Sequence, residues 1–244
     1  MDDTRQDIHT TGVPRICQAC EARHRGVCGG LTDKQLVTLA DTTAIKTVPA
    51  GTELFGMEEK PARYANILKG VVKLSKLLPD GRQQLVGLQF APDFIGRPFA
   101  ETSAVTAEAA TEVTICTFPR GTLTTMIETS PGLENMLYRQ ALKELDEARE
   151  WMLTLGRRDA EEKLVSFLLA IAIHTDPYTP LEDESPVEIV IPLTRADIAD
   201  FLGLTIETVS RQFTRLRNEG VIAKLDGRRI QVSSLADLRK LSGA

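Results

Sequence analysis

The sequence predicts an α+β protein: an antiparallel β-roll of the barrel or jelly-roll kind, then one long helix, then a winged helix-turn-helix. Three observations carry this. Short apolar runs punctuated by Gly, Pro and Asp recur between residues 49 and 118. A helical pattern then runs unbroken from Pro131 to about Leu155. Two capped helices meet at Gly203, and a hairpin around Asp226-Gly227 follows them. With 244 residues there is length for a substantial core. Against 34 Asp and Glu stand 29 Lys and Arg, a net charge of −5, so any contact with nucleic acid has to be local. Mean hydropathy is −0.11, and no apolar run approaches the roughly 18 residues of a membrane helix. The polar start Met1-Asp2-Asp3 carries no signal-peptide core. A cytoplasmic protein without membrane contact is expected, and its four cysteines are not expected to form structural disulfides.

Residues 1–30 form a cysteine-rich segment. Cys17, Cys20 and Cys28 lie within twelve residues, with Gly26, Gly29 and Gly30 beside them. No helical or strand period is visible, so irregular backbone is expected, held by something other than a core. A C-x2-C pair lets two thiolates converge on one metal. Cys28 and the distant Cys116 would complete a four-thiolate site, suited to zinc or an iron–sulfur cluster. Arg15, Arg23 and Arg25 are expected to lower the thiol pKa values and to offset the charge of such a site. His24, between two arginines, reads as a solvated side chain. Free thiols and, for Cys116, a small apolar core residue are the plainer readings.

Residues 31–130 read as the roll. Thr32 and Gln35 form a capping box that starts a short helix. Strands are expected at 52–55, 64–68, 71–78, 84–90, 94–96 and 112–118. Pro49-Ala50-Gly51, Lys69-Gly70, Pro79-Asp80-Gly81 and Ala91-Pro92-Asp93 turn the chain between them. Strands this short and this evenly spaced suggest a barrel or jelly roll. No nucleophile elbow, H-E-x-x-H or P-loop appears, so neither an enzyme nor any catalytic residue is expected.

Residues 131–158 are the long helix, which Gly156 is expected to end. Tyr138, Ala141, Leu145, Ala148, Met152 and Leu155 alternate at spacings of three and four, the seam of a two-helix coiled coil. Leu137 and Trp151 offer a second apolar face for packing within the chain.

Residues 159–244 read as the winged helix-turn-helix. Asp159 caps a helix carrying Leu164, Phe167, Leu168 and Ile171, and 174–186 is a loop rich in Pro, Asp and Glu. Thr194 caps a helix over 195–202, Gly203 ends it, and Thr205 caps the next, from Ile206 to about Asn218. Ile198 and Leu202 can meet Val209, Phe213 and Leu216, the arrangement of a helix-turn-helix. Strands over 221–225 and 228–232 form the wing. The second helix carries Arg211, Arg215 and Arg217 against Glu207, a basic surface on an acidic chain and a footprint of DNA binding. Glu207 and Arg211 share a face near the helix start. Arg can pair with guanine O6 and N7, and Glu can accept from cytosine N4. Ser210 can reach a neighbouring base or a phosphate; Arg215, Arg217 and the cap Thr205 suit the phosphate backbone. The plain alternative for Glu207 and Arg211 is a surface i, i+4 ion pair.

Ile206-Glu207-Thr208-Val209-Ser210-Arg211 resembles the helix-turn-helix of the Crp/Fnr transcription regulators, and the E-x-x-S-R pattern that of its Fnr branch. The likeness covers nearly the whole chain. Pro49-Ala50-Gly51-Thr52 and Asp80-Gly81-Arg82-Gln83-Gln84 resemble the family's cyclic-nucleotide-binding-type β-roll. Cys17, Cys20, Cys28 and Cys116 resemble the [4Fe–4S] ligands of the oxygen-sensing Fnr proteins, and the seven residues between Cys20 and Cys28 match the FnrL/FnrN type of α-proteobacteria. The chain departs from the family in two places. Ala148 stands where the enterobacterial dimer helix has an acidic residue. Arg97 follows Phe94-Ile95-Gly96, and Glu101-Thr102 replace the Arg-Ser that holds a cyclic phosphate, so no cyclic nucleotide is expected.

The resemblance implies an oxygen-responsive activator. In it the cluster orders the sensor end, the long helix forms a homodimer, and two recognition helices read a TTGAT-type inverted repeat in double-stranded DNA, with RNA polymerase as partner. The alternative is a regulator of the same fold that senses thiol redox, zinc or a small ligand. A thiol–disulfide oxidoreductase would need a strand before Cys17-Gln18-Ala19-Cys20, and none is visible.

Overall fold

The computed structural model describes residues 12–243. The chain folds into two compact units, one made of residues up to 76 with Gly87–Asp146, the other of Leu77–Val86 with residues from 147 onward.

In the first unit the cysteine segment is not irregular. It forms two single helical turns, α1 (Arg15–Gln18) and α2 (Glu21–His24), and a 3-10 turn, Val27–Gly30. Nor does it lack a core, since Val13, Ala22, Val27, Cys28 and Leu31 are buried. A segment too short for visible periodicity still places one or two apolar side chains per turn inward. Helix α3 (Asp33–Ala40) follows the predicted capping box, with Gln35 and Thr32 bonding each other's backbone.

Two four-stranded antiparallel sheets make the roll. One has the order β1 (Ala44–Val48), β8 (Val113–Pro119), β3 (Arg63–Lys69), β6 (Phe94–Ile95); the other β2 (Glu53–Phe55), β7 (Thr106–Ala109), β4 (Val71–Leu77), β5 (Gln83–Phe90). Between them lie Ala65, Ile67, Val72, Ile95, Ala107, Ala109, Val113 and Ile115. Alternation along β3 and β8 turns Tyr64, Asn66, Cys116 and Phe118 to the opposite face. There Tyr64 and Phe118 join Val27, Cys28, Leu31, Leu36, Leu123, Leu133 and Leu137 in a second apolar layer. Strands β1 and β7 escape the sequence pattern: β1 is exposed along its middle, and β7 is Thr-Ala-Glu-Ala, poor in branched residues. Helix α4 (Arg120–Thr129), rich in Thr, escapes it too, and buried Leu123 and Met126 hold it in place.

Helix α5 (Pro131–Arg157) runs from the first unit into the second. Gly156 lies one residue inside its end. Gln140 clamps it to the roll, accepting from the Phe94 N–H at 3.2 Å and donating to the Phe94 carbonyl at 3.0 Å.

The second unit is built on α6 (Ala160–Thr175), capped by Asp159 and apolar nearly all round. Helix α7 (Arg195–Leu202) and helix α8 (Ile206–Asn218) have the predicted bounds. The wing has a strand the sequence pattern does not reveal: β9 (Val187–Val190) pairs with β11 (Arg229–Val232), which pairs with β10 (Ile222–Lys224). Helix α9 (Leu235–Leu241), also unforeseen, lies against α6. Among the described residues no helix is long and apolar enough to cross a membrane.

Candidate sensor cavity and nucleic-acid interface

All four cysteines, each a free thiol, line one enclosed cavity of about 20 Å3 in the first unit. Cys17 comes from α1, Cys20 caps α2, Cys28 lies in the 3-10 turn, and Cys116 stands on β8. Three are thus carried by short turns and one by the sheet. Arg23, Leu39, Thr43, Asn66 and Phe118 are among the other lining residues. The space as folded holds about one water molecule.

Thiol chemistry here runs against the sequence expectation. Burial and the neighbouring Cys20 sulfur push the Cys28 thiol up to about 12, and the Asn66 amide opposes this only in part. Burial, with Cys20 and Cys17, pushes Cys116 up to about 11 against a Thr43 hydrogen bond and the Arg63 charge. Cys17 is raised too, again chiefly by burial, although Arg23 pulls it down. Desolvation therefore outweighs the arginines, and these thiols are protonated at neutral pH. The pairwise effects place the four sulfurs in each other's field. His24 bonds the Gln18 carbonyl at 3.3 Å.

Asn66, which sequence reading missed, is 1% exposed and donates Nδ2 to Cys28 Sγ at 3.1 Å. The available signal was a polar residue inside the apolar run Tyr64-Ala65-Asn66-Ile67-Leu68.

In the second unit the helix-turn-helix is built by caps. Thr194 accepts from the Asp197 N–H at 3.1 Å and donates to the Asp197 carboxylate at 2.6 Å. Gly203, at φ 63°, takes the left-handed turn that ends α7. Thr205 accepts from the Thr208 N–H at 3.2 Å. Ile198, Phe201, Leu202, Val209, Phe213 and Leu216 are buried where the helices meet. Arg195 lies over the Phe213 ring, 3.3 Å from its centroid, a cation–π contact also missed.

Glu207, Ser210, Arg211, Arg215 and Arg217 are exposed on α8. Ser210, Arg211, Thr214, Arg215 and Asn218 line a shallow groove. Thr205 is placed at the start of that helix, its hydroxyl oxygen accepting the cap bond. The plain reading of Glu207 with Arg211 fails, because among the described residues neither enters an ion pair. Hydrogen bonds from its own backbone N–H and from Thr205 hold the Glu207 carboxyl below the usual range, so it is an ionised acceptor. Among the described residues Arg211 reaches Thr208 Oγ1, at 3.4 Å. Arg215 differs: its guanidinium pairs with Glu161 at 2.6 Å and Glu219 at 2.9 Å, which ties α8 to α6.

On α5 the seam is open on the single chain. Tyr138 is 63% exposed, Leu145 44% and Met152 73%. Ala141 and Ala148 are exposed and Leu155 half-buried. Leu137 is buried in the first unit, and Trp151 meets Phe201 edge-on in the second at 4.5 Å.

Comparison with known proteins follows this division. Residues 162–241 match the Crp-like helix-turn-helix domain family, and residues 45–130 the cyclic nucleotide-binding domain family. The chain is 51% identical over 244 residues, all of both chains, to a probable transcriptional activator of Rhizobium leguminosarum bv. viciae. It is 38% identical over 234 residues to the transcriptional activator protein FnrL of Cereibacter sphaeroides, covering 95% of this chain and 94% of that one. Among solved structures, FixK2 from Bradyrhizobium japonicum has a TM-score of 0.73 at 27% identity, over 83% of this chain and 98% of that one.

Proposed function

The chain belongs to the Crp/Fnr family of transcriptional regulators, and from that membership we propose a cytoplasmic, oxygen-responsive activator in which Cys17, Cys20, Cys28 and Cys116 hold a [4Fe–4S] cluster that controls dimerisation and DNA binding. The observation that carries this is the meeting of four cysteines, three from adjacent turns and one from a distant strand, at one cavity. Sulfur donors of this softness suit iron–sulfur clusters. Among the described residues no three metal-binding side chains gather tightly enough for one metal ion. The space between the thiols holds about one water molecule as folded, so a polynuclear group would enter only as the walls move apart.

When bound, the cluster supplies an oxygen-labile tie between the turns and the sheet. Cys17, Cys20 and Cys28, on the short turns, and Cys116, on β8, would hold it, and the turns would be the wall that yields to admit it. Ligation requires these thiols to release protons that burial holds on them. Arg23, on the cavity wall, offsets the negative charge that results.

Downstream, Gly30 adjoins the first turn of α5 at Gly132, so a shift of the turns reaches the dimer helix directly. Tyr138, Ala141, Leu145, Ala148, Met152 and Leu155 meet the same seam of a second chain. The pair of α8 helices then lies one DNA turn, about 34–36 Å, apart on an inverted repeat of the TTGAT type. Glu207, Ser210 and Arg211 read bases; Thr205 and Arg217 contact phosphates, and Arg215 joins them on leaving its two glutamates. RNA polymerase is the partner in activation. Cyclic nucleotide is not the signal, because the Glu101 carboxylate would repel its phosphate.

The test is an anoxic purification with iron and acid-labile sulfide assayed and the visible spectrum followed as air is admitted. About four irons per chain and bleaching in air support the reading. A colourless protein after anoxic reconstitution overturns the cluster and moves the signal to thiol redox, zinc or a ligand of the roll. Cys116→Ala should abolish anaerobic activation, and Arg211→Ala should keep the iron while losing specific DNA binding.

A further inference from the structure

Burying an amide in an apolar layer is costly unless its groups are paired. Asn66 is 1% exposed in such a layer, on the strand β3. Its backbone is opposite Cys116 on one side and Phe94 on the other. Directly opposed residues of an antiparallel pair share a face, so Asn66 stands beside Cys116 on the cavity wall. Its Nδ2 donates to Cys28 Sγ at 3.1 Å. Its Oδ1 is buried and without a hydrogen-bond partner among the described residues. An apolar side chain would fill this place without leaving an oxygen unbonded, and the hydrogen bond that the Asn66 amide makes goes to a cysteine sulfur.

The two ends of that contact sit on different kinds of element. Asn66 belongs to an inner strand of a four-stranded sheet, and Cys28 to a 3-10 turn. The amide therefore reaches from the scaffold that holds Cys116 to the turn that holds Cys28. We propose that Asn66 is a positioning residue for the cluster: it aims the Cys28 sulfur at the cavity from the Cys116 sheet and keeps donating its N–H to that sulfur once the sulfur is a thiolate ligand. This rests on the iron–sulfur reading above. A hydrogen bond to a ligating sulfur orients it and lowers the energy of its lone pairs, which acts on both the hold on iron and the colour of the site.

The experiment compares Asn66→Val with Asn66→Thr, side chains of one shape that differ by a hydroxyl donor. Each full-length protein and the wild type are reconstituted with iron and sulfide in anoxic buffer. Iron loss to an iron(II) chelator is then followed in the absence of oxygen. Asn66→Val should lose iron about tenfold faster than wild type, and Asn66→Thr should recover most of the difference. The sulfur-to-iron charge-transfer band of Asn66→Val should move to longer wavelength, which a purely structural role would not cause. Should Asn66→Val fail to fold, Asn66→Leu takes its place against the same Thr variant. A loaded apolar variant with wild-type iron retention and an unmoved band overturns this proposal alone. A wild type that takes up no iron ends the parent reading and this one with it.

Discussion

Replacing Gly132 by alanine tests the contact between the cysteine turns and the long helix. A Cβ at Gly132 would lie under 3.0 Å from the Gly30 carbonyl oxygen, and a Cβ at Gly30 would meet the Gly132 carbonyl as closely. Backbone faces backbone, so no side chain can swing aside to make room. Forcing a methyl group into such a contact costs about 1–3 kcal/mol. Alanine's better helix propensity returns at most about 1 kcal/mol, leaving a net loss of up to about 2 kcal/mol. Gly121 is the matched control, because it too is the second residue of its helix and a Cβ there meets nothing within 4 Å among the described residues. Gly121→Ala should stabilise by about 0.4–1 kcal/mol. In thermal unfolding of the iron-free chain, Gly132→Ala should lower the midpoint, by up to about 8 °C, and Gly121→Ala should raise it by about 1–4 °C. If both variants move the midpoint upward, the contact is looser than described and the direct route from turns to helix falls.

Three further outcomes can be measured. Thr194→Ala removes the cap bond from the Asp197 N–H and the hydroxyl's bond to the Asp197 carboxylate, leaves the Thr194 N–H on that carboxylate, and should cost about 1 kcal/mol in urea unfolding, with Thr194→Ser near wild type. Met152→Glu, at a side chain 73% exposed on the single chain, should leave the folded chain as stable as before and give a monomer in sedimentation; a dimer of unchanged strength would refute the seam. Burial raises Cys28 to about 12 and Cys116 to about 11, above the value of about 8.5 for a free thiol, so the folded chain holds these protons more tightly than the unfolded one. Their contribution to stability is complete below about pH 8.5 and is lost as pH rises toward 11–12. The urea midpoint of the iron-free chain should fall across that range, and Cys28→Ala should flatten the fall.

Legibility in the sequence follows the reach of the interactions. Helices α7 and α8 were readable to the residue because their ends are set by local chemistry: Thr194 with Asp197, Gly203, and Thr205 with Thr208. The partners of Glu207 and Arg215 were not. Both are charged residues on one helix, and only the fold brings Glu161 against Arg215 while leaving Arg211 without an ion pair among the described residues. Strand β7 was hidden because its burial depends on a narrow roll interior, which selects Ala107 and Ala109 over the branched residues that mark strands. The four cysteines could be named from the sequence, but their acidity could not. Three nearby arginines argue for thiolates, and only the buried layer around Cys28 and Cys116 reverses the sign. Asn66 shows in the sequence only as a polar residue in an apolar run, and its importance lies in what stands across the layer from it.

The burial of the cysteine turns constrains how a signal can leave them. Val13, Val27 and Leu31 are 5%, 1% and 9% exposed, and side chains of this size contribute about 1.5–3 kcal/mol each when buried. That attachment does not involve the thiols. Losing thiol ligands therefore leaves the segment anchored in the layer that also contains Leu133 and Leu137 of α5. A switch built this way works by a small displacement rather than by melting of the segment. Small displacements are felt where packing is tight and backbone bound, and Gly30 against Gly132 is such a place. The seam residues begin less than two turns further along α5, at Tyr138, so little chain lies between that contact and the surface on which two copies would meet.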